Sequence, residues 1–336
     1  MSNVSPTKKN KESASVNGAE FAAHGLFVGV DGGGTKTLAV LTDRHLNVLG
    51  EGKTGVSNPL RVGVETAVDN IVTAIDRACD AADKIHSEIV AAEIGLAGVR
   101  REDIRNRLRD RLISRLRIKN LEVYTDAEIA LYGATNGAAG LVVIAGTGSI
   151  CCGRNAAGEY AVAGGWGPLA GDEGGGAGIA RRALQAVAKA SDGRAPKTVL
   201  SDLACDYFRA SSPEDIAMAI YAPTMTNDRI AGFARFVIQA ARDGDKVAHG
   251  LLNEAGCELG LAANAVIKKL KLANKKFQIA YVGGVFAAKE LIFEPLLRKV
   301  HEVAPAAYIA PPQIAPAVAA AKMAIAKINS AKNKNK

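Results

Sequence analysis

The sequence predicts an α/β fold made of two similar halves facing one another across a cleft, the second half carrying extra helices. Three observations lead there. An order of three strands, helix, strand, helix, strand and helix runs twice along the chain. A glycine-rich turn stands at the matching place in each copy, at 31–37 and again at 146–149. Finally, 336 residues of which 48% are apolar suffice for two cores of ordinary size.

Residues 1–24 are polar and poor in large apolar side chains, which predicts a disordered tail. The first domain is expected over 25–138. Its apolar run LFVGVDG (26–32) reads as a buried strand, and TKTLAVLTD (35–43) and LNVLGEGKTG (46–55) complete an antiparallel meander. Across 63–84, Val64, Ala67, Val68, Ile71, Ile75 and Ala78 share one helical face. EIVAAEIGLAG (88–98) is a strand. Ile104, Leu108, Leu112 and Leu116 then recur every fourth residue in a helix over 101–117, before the strand NLEVYTDA (120–127) and a short helix to about 136.

The second domain, 139–312, repeats the order. Strands are expected at 141–148, 149–155 and 160–166, then a helical insertion over about 173–272 with segments at 173–190, 197–209, 213–220 and 229–272. The strand FQIAYVGG (277–284), a helix at 289–302 and the strand AAYIA (306–310) follow. A last helix at 314–328 is expected to pack back on the first domain, leaving 329–336 as a disordered basic tail.

The net charge of +8 and pI of 9.2 invite a nucleic-acid reading, but the charge is in the wrong place for it. Residues 322–336 carry five lysines and no acid, and residues 1–25 three lysines against two glutamates, so the body from 26 to 321 is only +2. Five cysteines without a C-x-x-C pair argue for a reducing, cytoplasmic setting and against structural zinc. The N-terminus lacks the apolar core of a signal peptide. The uncharged stretches 129–153 and 303–321 are broken by polar residues and prolines, so no membrane span is expected.

Asp31-Gly32-Gly33-Gly34-Thr35-Lys36-Thr37 forms a tight hairpin in which glycines let backbone N–H groups approach phosphate oxygens, with Thr35 and Lys36 adding a hydroxyl and a charge. The simpler reading is a plain turn. It is neither a P-loop nor a dinucleotide fingerprint, since no helix follows directly. Gly146-Thr147-Gly148-Ser149 occupies the equivalent hairpin, and the pair would grip a polyphosphate from two sides. Gly283-Gly284, ending a strand, suits the passage of a flat adenosine.

In order, VDGGGTKT (30–37), TDA (125–127), AGTGS (145–149), GGWGPLAGDEG (164–174) and YVGGVF (281–286) resemble the acetate and sugar kinase, heat-shock chaperone and actin superfamily. More narrowly, they resemble the BadF/BadG/BcrA/BcrD ATPase family and its N-acetylglucosamine kinases, over 26 to about 328. The resemblance implies two ribonuclease H-like, actin-like ATPase domains, ATP with Mg²⁺, a sugar acceptor and a homodimer. It implies that Gly33, Gly34, Thr35, Lys36, Gly146, Thr147 and Gly148 meet the phosphates, with Gly283, Gly284 and Ala231 around adenosine. Asp31 would hold Mg²⁺ through water. Asp126 would be the catalytic base, and Asn58, Ser149, Gly165, Trp166, Gly167 and Asp172 would complete the sugar pocket.

Simpler readings stand beside each. Asp126 and Asp172 would serve as helix N-caps, Asn58 before Pro59 as a turn residue, and Trp166, the sole tryptophan, as core. Cys151 and Cys152 would face opposite sides of a strand. The helix over 100–119, with nine basic and three acidic residues, reads as a solvated face, with an anion-binding patch as the alternative. Two departures from the amino-sugar kinase pattern loosen the expected reading of the N-acetyl group: Ile150 in place of Asn, and Gly175 in place of Ser. The expected function is thus a 6-kinase for N-acetylglucosamine or glucosamine. The alternatives are a broad hexokinase acting on glucose or mannose, a non-catalytic binding module, and a dehydratase-activating ATPase, whose cluster-binding cysteine pattern this chain lacks. The zinc-containing bacterial sugar-kinase and repressor family carries a cysteine cluster that is also missing here.

Overall fold

A computed structural model describes residues 25–334. The chain up to Ile129, together with the segment from Ala315 onward, forms one compact unit, and Ala130–Ile314 forms a second. The expected tail at 1–24 and the last two residues of the basic tail lie outside the described residues.

The first unit is built on a five-stranded sheet in the order β3-β2-β1-β4-β5, with β1 Leu26–Gly32, β2 Thr37–Thr42, β3 Val48–Thr54, β4 Ile89–Leu96 and β5 Asn120–Thr125. The first three strands form an antiparallel meander, whereas β1, β4 and β5 run parallel. Parallel strands need both faces covered, and alternation along β1 shows how this is met. Val28 and Val30 pack with Ile71 and Ile75 of helix α2 (Val64–Ala81) and with Leu108 and Leu112 of α3 (Glu102–Leu116). Gly29 faces the other way, where a Cβ would stand 2.0 Å from the carbonyl oxygen of Ala317. Only a glycine there lets the C-terminal helix, Pro316–Lys334, lie directly on the sheet through Ala317, Ala321 and Ala324.

That helix runs on through 329–334, where the sequence suggested a disordered tail. Alanine and lysine sustain helix well, and no glycine or proline interrupts the segment.

The second unit repeats the sheet. Its order is β10-β9-β6-β7-β8, with β6 Gly140–Ala145, β7 Ser149–Arg154, β8 Tyr160–Gly164, β9 Gln278–Val282 and β10 Tyr308–Ile309. Each strand occupies the place of its counterpart five positions earlier, and the pairings again change from antiparallel to parallel at β9. The inserted helices pack around Phe233, Leu252 and Leu259. The single helix expected over 229–272 is three: Asn227–Ala231, Ala234–Arg242 and Lys246–Lys269. The last break is made by Gly244 at φ 95° and by Asp245, whose carboxylate caps the next helix through Ala248 N at 2.8 Å.

The arginines of α3 are mostly paired. Arg111 meets Glu65 at 3.3 Å, Arg115 meets Asp69 at 3.0 Å and Arg105 meets Glu128 at 3.6 Å. These pairs tie α3 to its neighbours, which favours the solvated-face reading over an anion-binding patch. No helix among the described residues is long and apolar enough to cross a membrane.

Candidate active site

Asp31 and Asp126 stand at the carboxyl ends of the parallel strands β1 and β5, on either side of β4. Carboxyl ends of parallel strands are where α/β sheets gather ligand-binding groups. Thr125, rather than Asp126, caps the helix that follows (α4, Asp126–Thr135). Its hydroxyl accepts from Glu128 N at 3.2 Å, and the Glu128 carboxylate accepts from Thr125 N at 2.8 Å. This reciprocal capping box leaves the Asp126 carboxylate to accept from Ala127 N, at 2.9 Å, and from its own backbone N–H. The capping role considered for Asp126 is thus filled by Thr125. The T-x-x-E spacing at 125–128 is its signature in the sequence.

Burial pushes the Asp126 carboxyl up to about 6, with the negative charge of Asp31 adding to the effect and the Ala127 amide opposing it. Burial likewise raises Asp31 above the ordinary carboxylate range, opposed by the Lys36 ammonium. Asn58 caps the short helix α1 (Pro59–Val62), its Oδ1 accepting from Leu60 N at 2.9 Å. A Cβ on Gly98, just beyond β4, would come 2.3 Å from that oxygen. The turn reading of Asn58 therefore holds. It also places Asn58 at the same end of the sheet as the two carboxylates.

The first hairpin, Gly32–Thr37, is fastened by its carbonyls. Ala97 N donates to Gly32 O at 2.9 Å, Ser57 N to Gly33 O at 3.2 Å, and Arg61 Nη1 to Gly34 O at 3.0 Å. Thr37 anchors the far side through Ser57 Oγ at 2.8 Å. Among the described residues nothing accepts from the N–H groups of Gly34 and Thr35, which remain available to an anion. Arg61 and Ser57 are site residues that sequence reasoning did not single out; their 20–27-residue separation from the hairpin leaves no local signal.

In the second unit the hairpin Gly146–Ser149 is tied to the first turn of helix α5 (Gly176–Ser191). Gly176 N donates to Gly146 O at 2.8 Å and Ala177 N to Thr147 O at 2.9 Å. A Cβ at Gly175 would lie 2.6 Å from the Gly148 carbonyl carbon, so a serine there would force the two segments apart. Thr147 Oγ1 donates to Asp228 at 2.8 Å, on the short helix that ends at Ala231. Gly283, at φ 118°, presses on the backbone of Ala145. Gly146–Gly148, Ala231 and Gly283–Gly284 thus converge.

Asp172 does not cap a helix, because helix α5 begins at Gly176 with Gly175 as its N-cap. Its carboxylate, raised by burial, accepts instead from the backbone N–H groups of Ser149 and Gly167. Ser149 Oγ donates to Glu173 O at 2.5 Å. Trp166 is 70% exposed, contrary to a core role, and Leu169 beside it is 98% exposed. Both sit on a loop held by Gly164, Gly165 and Gly167, all at positive φ, which turns the chain too sharply to fold these side chains inward. Ile150 covers Gly165. A cavity of about 540 Å³ opens beside the loop, lined by Leu169, Gly171, Glu173, Arg181, Arg182 and Glu258. Cys151 and Cys152 are both buried, with Cys151 in the core of this unit.

No group of three or more His, Cys, Asp and Glu side chains among the described residues is arranged to hold a metal alone. The Asp31 carboxylate, at the end of β1 beside the first hairpin, is the kind of oxygen donor that Mg²⁺ takes.

The chain is 36% identical over 258 residues to the N-acetylmuramic acid/N-acetylglucosamine kinase of Clostridium acetobutylicum, covering 77% of this chain and 84% of that one. It is 31% identical to the N-acetyl-D-glucosamine kinase of Dictyostelium discoideum, over 89% of this chain and 98% of the other. The solved structure of a candidate N-acetylglucosamine kinase from Chromobacterium violaceum matches with a TM-score of 0.74 at 26% identity, over 90% and 99% of the two chains. The model of the BadF/BadG/BcrA/BcrD ATPase family matches residues 28–324. With nearly the whole chain matched and the doubled sheet in place, the protein belongs to the BadF/BadG/BcrA/BcrD ATPase family.

Proposed function

We propose that this protein is an ATP-dependent kinase that transfers a phosphoryl group to the 6-hydroxyl of an amino sugar, N-acetylglucosamine or glucosamine, with Asp126 accepting the hydroxyl proton. The relatives named above are kinases of N-acetylglucosamine, one of them also of N-acetylmuramic acid. The observation that carries the mechanism is the state of Asp126: a carboxylate at a strand end, excused from capping by Thr125 and Glu128, and raised by burial to about 6. A base with that value is ionised at neutral pH yet accepts a proton readily.

A sugar hydroxyl is a weak nucleophile, so proton removal must accompany phosphoryl transfer. Asp126 would take that proton. The free amides of Gly34 and Thr35 would orient nucleotide phosphates, as would the hairpin Gly146–Gly148, with Lys36 adding charge. Gly283, Gly284 and Ala231 would flank its adenosine. Asp31 would hold Mg²⁺, which when bound with ATP offsets charge on the phosphates. Asn58, Ser149, Gly165, Trp166, Gly167 and Asp172 would present the sugar. A cytoplasmic homodimer is part of the same proposal, and sedimentation reads its oligomeric state.

The test is ADP release with Mg·ATP across glucosamine, N-acetylglucosamine, N-acetylmannosamine, glucose and mannose. Release that depends on an amino sugar supports the reading. Release indifferent to every sugar overturns it in favour of an activator-type ATPase. Ile150 over Gly165 favours one variant of the reading, since an apolar side chain there cannot hydrogen-bond an amide. Similar kcat/KM for glucose and N-acetylglucosamine would support that broader hexokinase.

A further inference from the structure

Three consecutive carbonyls of the first hairpin are held from outside, and two of the three donors are backbone amides that any sequence would supply: Ala97 N on Gly32 O and Ser57 N on Gly33 O. The third is a side chain. Arg61 reaches from α1 across 27 residues of sequence to donate Nη1 to Gly34 O at 3.0 Å. Its guanidinium lies so close that a Cβ on Gly34 would meet Nη1 at 3.0 Å and Cζ at 3.1 Å.

A trans peptide is planar, with its C=O and N–H pointing in opposite directions. Fixing the Gly34 carbonyl therefore aims the N–H of Thr35, the other end of the same peptide unit. That N–H has no acceptor among the described residues. A cation on the carbonyl also polarises the peptide, which makes its N–H a stronger donor. Without Arg61, the Gly34–Thr35 peptide sits at the tip of a hairpin with two glycines before it, free to rotate.

We propose that Arg61 is a positioning residue for phosphate recognition: it orients and polarises the Gly34–Thr35 peptide so that the Thr35 N–H is presented to a nucleotide phosphate oxygen. The role rests on the kinase reading for its ligand, ATP, but not on phosphoryl transfer itself. Arg61 is also linked to the acceptor side, because its own N–H donates to Asn58 O at 3.0 Å, within the turn that Asn58 caps.

The experiment uses the full chain and the non-hydrolysable nucleotide MgAMPPNP, with adenosine as a phosphate-free control, titrated by calorimetry. Arg61→Ala and Arg61→Gln are expected to weaken MgAMPPNP binding about tenfold, the scale of one well-placed hydrogen bond. Adenosine affinity and the melting temperature should be unchanged, and Arg61→Lys should recover part of the loss. In turnover, KM for MgATP should rise more than kcat falls. Unchanged MgAMPPNP affinity in Arg61→Ala would overturn the proposal, as would an equal loss for adenosine, which would mark a general disturbance. The kinase reading fails separately, if the unaltered protein releases no sugar-dependent ADP while still binding MgAMPPNP.

Discussion

The carboxylate of Asp172 rests against the Cα of Gly148: a Cβ built on Gly148 would lie 2.2 Å from Asp172 Oδ2. Asp172 also accepts from the amides of Ser149 and Gly167. One buried side chain thereby joins the second glycine hairpin to the loop bearing Trp166. The proposed nucleotide and sugar elements of this unit thus share Asp172 as a fastening, beside the Gly165 N to Ser149 O bond.

Gly148→Ala should therefore displace Asp172, destabilise the protein by roughly 1–3 kcal/mol and weaken MgAMPPNP binding. Gly33 is the contrast, since an added Cβ there meets nothing within 4 Å. Gly33→Ala should melt with the parent, so any loss of nucleotide affinity would come from the ligand's own space. Thermal melts and calorimetry on both variants decide it; equal melting of Gly148→Ala and the parent would contradict the contact.

Asp126→Asn should lower kcat on the order of 10²–10⁴-fold and leave MgAMPPNP affinity nearly intact. It should melt no lower than the parent at pH 7.5, because burial disfavours the charged carboxylate and the cap lies elsewhere. Thr125→Ala should instead cost about 1 kcal/mol of stability. Single-turnover rates and melts separate these effects, and near-normal kcat in Asp126→Asn would remove Asp126 as the base.

The pH profile carries its own sign. A general base must be ionised, and Asp126 is raised to about 6. Thus kcat/KM should be level above pH 7 and fall about tenfold per unit below about 6. The residual activity of Asp126→Asn should lack this limb. A limb near 4 in the parent would show that burial does not tune this carboxyl.

Glu93, on β4 beneath the C-terminal helix, is 1% exposed and lies 3.5 Å from Lys327. Its Oε2 has no partner among the described residues, and burial pushes its carboxyl up to about 8, with Lys327 opposing and Glu122 on β5 adding. A folded-state value above the unfolded one means stability is fully present below about 4.5 and is lost as pH rises through 8. Glu93→Gln should flatten that loss. Melting curves from pH 5 to 9 test it, and parallel declines in both proteins would count against it.

Much of this molecule was legible in the sequence. The two three-stranded runs, the strands that follow them and both glycine hairpins come from alternation, apolar runs and turn residues, which are local signals. What escaped is non-local or competitive. Thr125 and Asp126 both suit an N-cap, and only the reach of Glu128 back to Thr125 N settles which one serves. Trp166 reads as core by composition, yet three glycines at positive φ hold it outside. Arg61 is an ordinary surface arginine until the chain returns to set Gly34 beside it.

The C-terminal helix on Gly29 has a bearing on how the protein is made. The first sheet is covered on one face only after some 185 intervening residues, Ala130–Ile314, have been synthesised. At typical elongation rates of about 5–20 residues per second, that face stays bare on the ribosome for on the order of 10–40 s. The nascent chain would carry an apolar strand surface around Phe27 and Ala91 through that interval, a natural client for a holding chaperone.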